Sequence, residues 1–241
     1  MHMLKKSSFV LVVPCYNEES VISAFLSELD IFRSYFVQQM QGLDLSVVFV
    51  DNNSTDRSFE LLSKYTSEHL DTELILELKK GYGAALKAGF LHKQADFYGF
   101  ADLDHTYPLC DFPVLIERLR TQNLDMIVGG RLHSASLIPW TRKLGNLMYS
   151  VISRLIFKTE LKDTCSGMRV FRHKMRADIL SLKQDDLSFS IELTAYAIQK
   201  QWRLSEVPIL YRERLGASKL SIFSDGWKFL KVLLKVRCFG V

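Results

Sequence analysis

Two carboxylates one residue apart, Asp102 and Asp104, follow the apolar run Phe97-Tyr-Gly-Phe-Ala101 and precede Thr106, Tyr107 and Pro108. At the end of a buried strand such a pair can converge on a hard divalent cation, Mg²⁺ or Mn²⁺, which takes carboxylate and phosphate oxygens and keeps part of its water. A cation held there would neutralise a diphosphate as its bond to a neighbouring group breaks. The alternative is a solvated turn whose aspartates cap the helix near Asp111. Pro14-Cys-Tyr-Asn-Glu18 closes another apolar run. Tyr16 offers a ring face and Glu18 an acceptor, both suited to a nucleoside, although Asn17 and Glu18 also suit a helix start, where a carboxylate is favourable. Asp51 could accept from a base N–H or could close a side-chain turn in a cluster rich in turn formers. Lys79-Lys-Gly-Tyr-Gly-Ala-Ala85 opens a helix with glycines and lysines, which suits an anion, but it has the spacing of neither a P-loop nor a dinucleotide fingerprint.

The elements that must position these residues alternate. Phe9–Val13 is a continuous apolar, β-branched run ended by Pro14, and Ser46–Val50 is a second, ended by Asp51. Glu73–Leu78, Phe97–Ala101 and Met126–Gly129 read as further strands. Helical spacing fills Glu19–Phe36, Phe59–Tyr65, Ala84–Lys93 and Asp111–Arg120 between them. The alternation implies an α/β, doubly wound, mostly parallel sheet flanked by helices, whose ligands lie outside the carboxyl ends of the strands. Tyr16–Glu18, Asp51–Asn53, Asp102–Asp104 and Arg131 all fall at such ends. The second half is less regular. Leu144–Phe157 and Ser190–Lys200 read as helices, Trp202–Ile209 as a late strand, and Ser221–Val236 as a last helix with apolar and lysine faces. The expected organisation is one domain over residues 1–220, followed by a C-terminal amphipathic helix in residues 221–241.

The chain has 241 residues, 48% hydrophobic and 24% charged, which suits a folded domain with a real core. A net charge of +4 is not the profile of a dedicated nucleic-acid binder. Its four cysteines show no CxxC spacing, so neither a zinc site nor a disulfide framework is indicated, and reduced thiols in a cytosolic setting are the simplest reading. The polar start of the chain does not read as a signal peptide. No run reaches the roughly 18 apolar residues that a membrane span requires.

Taken together, Val13–Glu18, Val50–Asp56, Lys80–Ala85, Ala101–Asp104 with Pro108, Gly129–Arg131, Asp163–Arg169 and Arg214–Leu220 resemble the family 2 glycosyltransferases of GT-A fold. They are most similar to the polyprenol-phosphate branch that includes the dolichol-phosphate mannose synthases. The motifs occur in the family's order over about residues 9–222. The resemblance implies that Pro14, Tyr16, Glu18, Asp51, Lys80, Asp102, Leu103 and Asp104 bind the donor. Asp102 and Asp104 would hold Mg²⁺ or Mn²⁺, with Asp104 the direct ligand. Arg131, Arg142 and Asn146 would address the acceptor phosphate, and Arg214 and Lys219 would grip phosphates. Thr106 stands where some mannose synthases carry a metal-contacting Gln, and Asn146 stands where a serine is expected. Asp163 and Arg169 bracket a tight turn and read as an internal ion pair. Glu192 reads equally as structural or as orienting an arginine.

The implied reaction is inverting transfer of one sugar from a nucleotide diphosphate sugar, GDP-mannose or UDP-hexose, to a polyprenol phosphate, with Asp102, Asp104 and Arg131 at the reacting centre. An acceptor phosphate is already ionised at neutral pH, with a second pKa near about 6, so no strong general base is required. The lysine face of the last helix suits an anionic membrane surface, so the expected setting is cytoplasmic and peripheral to the membrane, with a membrane-spanning partner subunit as a further expectation. Two other readings stand beside this one: the same fold acting on a soluble or protein acceptor, and a non-catalytic nucleotide-sugar binding module. The QxxRW motif of processive synthases is absent.

Overall fold

A computed structural model describes residues 7–132, 147, 150–154, 159–215 and 222–239. Its centre is a seven-stranded sheet in the order β3-β2-β1-β4-β6-β5-β7. The strands are β1 (Ser7–Cys15), β2 (Leu43–Asp51), β3 (Thr72–Leu76), β4 (Phe97–Phe100), β5 (Met126–Gly130), β6 (Arg169–Arg172) and β7 (Leu204–Pro208). β1 pairs in parallel with β2 and β4, β2 with β3, and β5 with β7, while β6 runs antiparallel between β4 and β5. Pro14 lies inside β1 rather than ending it. β4 pairs with β1 only as far as Val12, so the N–H that proline lacks is missed by no strand on that side.

The side-chain period of two divides the core between the faces of the sheet. Phe9, Leu11 and Val13 point to one face with Val47 and Phe49, where they meet Phe25, Phe32 and Phe36 of α1 (Glu19–Gln39), Leu62 of α2 (Ser58–Glu68) and Phe112, Leu115 and Ile116 of α4 (Phe112–Thr121). Val10 and Val12 point to the other face with Val48, Val50 and Phe100. There they meet Ala85, Leu86 and Phe90 of α3 (Tyr82–His92), Ile179 of α5 (Arg176–Leu180) and Phe189 and Leu193 of α6 (Phe189–Gln199). Both faces are covered, as the near-continuous apolar strands require.

β6 is the main difference from the sequence expectation, which put a turn over Asp163–Arg169 and no strand after it. Its arginines hide it. Arg169 is completely buried, and Arg172 donates to the carbonyls of Leu119 and Leu124, so residues that read as surface breaks are inside the sheet or tied to its edge. Because β6 is antiparallel, the turn before it lies at the same rim as the carboxyl ends of β1, β2, β4, β5 and β7.

The last helix, α7 (Ile222–Phe239), packs Phe229, Val232, Leu233 and Val236 against Ile191 and Ala195 of α6, and leaves Lys228, Lys231, Leu234, Lys235 and Arg237 exposed. Among the described residues, no helix is long and apolar enough to cross a membrane.

Candidate active site

The rim begins with two crossed loops. Asn17, Asn53 and His105 adopt positive φ (50°, 61° and 68°), which brings the loops after β1, β2 and β4 round sharply at the strand ends. Asn17 receives the Thr55 N–H on its side-chain oxygen at 2.8 Å and donates its own N–H to Ser54 Oγ at 3.0 Å, locking the first two loops together. Asp51 is 1% exposed. Its Oδ1 accepts from the Ser54 N–H at 2.9 Å, whereas its Oδ2 is buried with no hydrogen-bond partner. One oxygen therefore closes the turn, and the other is buried without a partner. Tyr16 sits beside it with the Lys80 ammonium 5.9 Å from its ring centroid. Glu18 does start α1, through its carbonyl to the Val21 and Ile22 N–H groups. Its carboxylate also lies 3.9 Å from Arg214.

Asn52, which sequence reasoning passed over, fixes the lysine-glycine loop. Its amide donates to the carbonyls of Glu77 (3.0 Å) and Lys79 (2.8 Å), and its oxygen accepts the Gly81 N–H at 2.6 Å. Gly81 has φ +134°, and a Cβ there would collide with the carbonyl of Asp185, so this position requires glycine. Asp185 in turn pairs with Lys79 (2.5 Å) and Lys87 (2.6 Å). Glu192 accepts from the N–H groups of Lys183 (3.2 Å) and Gln184 (2.8 Å), holding the loop that carries Asp185. Its role is structural.

Asp104 is 2% exposed and its two oxygens are differently engaged. Oδ1 accepts from Thr106 N (3.1 Å) and Oγ1 (2.5 Å), while Oδ2 lies 3.0 Å from Arg214 Nη1. Thr106 thus buttresses Asp104. The segment carrying Arg214 is tied to this loop by Arg212 N–H to the Thr106 carbonyl (3.0 Å) and Leu215 N–H to the Asp104 carbonyl (3.2 Å). Asp102 accepts from the Tyr82 hydroxyl at 2.8 Å. Burial and the nearby charge of Asp104 push its carboxyl up to about 7. Two carboxylates this close oppose each other's ionisation, and a divalent cation relieves that opposition. Among the described residues no three His, Cys, Asp or Glu side chains form a protein-only cage. The two carboxylates suit Mg²⁺ or Mn²⁺, which complete their shells with water and substrate phosphate. Leu103, between the two aspartates, buries its side chain in the core, so only its backbone faces the rim.

The acceptor side contains a buried ion pair. Arg131 is 9% exposed, and its Nε and Nη2 donate to Asp163 at 2.7 Å and 2.9 Å, with its backbone N–H on the same carboxylate at 3.0 Å. Its guanidinium also covers Tyr211, 5.5 Å from the ring centroid. Two of its three guanidinium nitrogens thereby hold the turn. Burial would raise the Asp163 carboxyl, but the charge and hydrogen bonds of Arg131 outweigh it and hold it below its ordinary value. Asp163 therefore pairs with Arg131 and not with Arg169. Arg169 donates instead to the carbonyls of Ser166, Thr164 and Ser190, stapling the turn to α6, and burial pushes its guanidinium down to about 10. Tyr107 completes the turn by accepting the Gly167 N–H at 2.7 Å. Arg142, Asn146 and Lys219 lie outside the described residues.

The sequence model described as Glycosyl transferase family 2 matches residues 10–180, from within β1 to the end of α5, and leaves out the Asp185 loop and the Arg214 segment. The chain belongs to that family. This glycosyltransferase is 29% identical over 227 residues to a dolichyl-phosphate hexose transferase of Haloferax volcanii, covering 94% of this chain and 92% of the relative. It is 28% identical over 253 residues to a dolichyl-phosphate beta-glucosyltransferase of Saccharomyces cerevisiae, covering 94% of this chain and 73% of that one. Among solved structures, glucosyl-3-phosphoglycerate synthase of Mycobacterium tuberculosis, in complex with Mn²⁺, UDP and phosphoglyceric acid, superposes with a TM-score of 0.73. It is 16% identical and covers 97% of this chain and 79% of that one, a likeness of fold.

Proposed function

We propose that this glycosyltransferase moves a hexose from a uridine diphosphate sugar to the phosphate of a dolichol-type lipid, with inversion at the anomeric carbon. The observation that carries the donor assignment is Asp51 Oδ2, the one buried carboxylate oxygen in the crossed loops with no partner. Uracil presents a single ring N–H between two carbonyls and needs one acceptor. Guanine presents a ring N–H beside an amino group and is best met by both oxygens of a carboxylate, of which Asp51 has already given one to Ser54. The acceptor assignment is supported by relatives that this chain matches over nearly its full length and whose names specify dolichyl phosphate.

In this reading Tyr16 and Asp51 hold the nucleoside, and Lys80 and Arg214 face the diphosphate. When bound, Mg²⁺ or Mn²⁺ at Asp102 and Asp104 supplies positive charge against the departing diphosphate. An acceptor phosphate oxygen forms the new bond to the anomeric carbon as the bond to the UDP oxygen breaks, and the electron pair leaves on UDP. The nucleophile arrives ionised, so the protein's work is positioning and charge stabilisation. The Arg131–Asp163 pair shapes the turn the acceptor approaches. The exposed Lys228, Lys231, Lys235 and Leu234 of α7 support peripheral contact with an anionic bilayer.

Thermal unfolding with nucleotides tests the donor half. UDP with Mn²⁺, at about a hundred times its Kd, is expected to stabilise the protein by about 2.7 kcal/mol. GDP at the same concentration is expected to give a clearly smaller shift. A GDP shift equal to or larger than that of UDP contradicts the base assignment.

A further inference from the structure

We infer that Tyr82 is a positioning residue that sets the orientation of the Asp102 carboxylate from the donor loop, a role that rests on the donor-site reading above. Tyr82 is the first residue of α3, immediately after the left-handed Gly81. Its backbone is placed by a chain of contacts that starts at the nucleoside end: Asn52, next to Asp51, accepts the Gly81 N–H and holds the Lys79 carbonyl. On the far side the loop rests on the Asp185 segment, whose carbonyl receives the Ala84 N–H at 3.0 Å. From this fixed backbone the Tyr82 ring reaches back across the rim, and its hydroxyl donates to Asp102 Oδ1 at 2.8 Å.

Asp102 has few other restraints. Its Oδ2 is close-packed on Gly167, where a Cβ would come within 3.0 Å of it. Arg131 and Arg214 both exert an attractive charge on it, and Arg214 already holds Asp104. Without the phenol hydroxyl, the carboxylate is free to turn toward those guanidiniums and away from the cation that it would hold with Asp104. Tyr82 thereby keeps the base end and the diphosphate end of the donor site in fixed register. An aromatic residue between two loop glycines gives no sign of this in the sequence, because its partner lies twenty residues away.

Titration calorimetry of UDP into the full chain, with and without Mn²⁺, tests the role through Tyr82→Phe, which keeps the ring and removes one hydrogen bond. The wild type is expected to bind UDP more tightly with Mn²⁺. In Tyr82→Phe the metal-free affinity is expected to stay unchanged, while the gain from Mn²⁺ falls about tenfold, the scale of one hydrogen bond to a charged group. In an Asp102→Ala background the same change is expected to have no further effect, because the partner is gone. Circular dichroism confirms that each variant is folded. An undiminished Mn²⁺ gain in Tyr82→Phe overturns the inference and leaves the donor site intact. An equal loss of metal-free affinity also overturns it, since it reduces Tyr82 to loop packing. A wild type whose UDP binding ignores Mn²⁺ overturns the donor-site reading and this inference together.

Discussion

Asp163→Ala is expected to lower the stability of the fold by about 3–5 kcal/mol, the cost of removing one partner of a buried ion pair. For a chain of this size that corresponds to a fall in Tm of about 10 °C, read by calorimetry or circular dichroism. The size follows from what the carboxylate holds. It is completely buried and accepts from the Arg131 backbone, Nε and Nη2 and from the Cys165 N–H at 3.2 Å. Without it the Arg131 guanidinium, 11% exposed, is left without its counter-charge in the interior. Exchanging both members, Asp163→Leu with Arg131→Met, is expected to recover only part of the loss: the uncompensated charge is gone, but the Arg131 and Cys165 N–H groups still lack their acceptor. A single variant that melts within about 2 °C of the wild type would show that the pair is not the clasp of this turn.

Asp104→Asn is expected to leave the fold in place and to lower kcat/KM by about a thousandfold, equivalent to about 4 kcal/mol of transition-state stabilisation. The amide oxygen can still accept from Thr106, so the loop keeps its shape, while the charge that draws Mg²⁺ or Mn²⁺ is gone. Arg214 loses its ion pair, but its side chain is 23% exposed and its segment remains tied by two backbone hydrogen bonds, so the effect on stability is small. Steady-state kinetics across a Mn²⁺ titration checks the result. Turnover within threefold of the wild type at every Mn²⁺ concentration removes Asp104 from the metal site.

The contrast between these two aspartates shows what was legible in the sequence. Asp102, Asp104 and Asp51 could be found because each ends an apolar run, and a doubly wound sheet puts its ligands at strand ends. Asp163 could be found as part of a motif but its partner could not: the residue that neutralises it lies 32 positions earlier, and no local period links them. The Arg131 end of the pair is equally hidden, since an arginine at a strand end gives no sign in the sequence of the buried carboxylate beside it. Arg169 misled in the opposite direction. A charged residue reads as a surface break, yet here backbone carbonyls satisfy it inside the sheet, and the strand it begins was missed. Asn52 was hidden in a cluster of turn formers, where its side chain looked like one more loop residue and not the clamp of the next loop.

The central claim, transfer of a hexose from a UDP-sugar to a lipid phosphate, is tested most directly by one assay. The purified chain is incubated with radiolabelled UDP-glucose, Mn²⁺ and dolichyl phosphate in detergent, and label is counted in the organic phase after partition. The account predicts metal-dependent accumulation of an acid-labile glucosyl phospholipid, abolished by chelation and by Asp104→Asn. UDP-glucose consumption with label appearing only on a water-soluble phosphate acceptor such as 3-phosphoglycerate, or as free glucose, would contradict it.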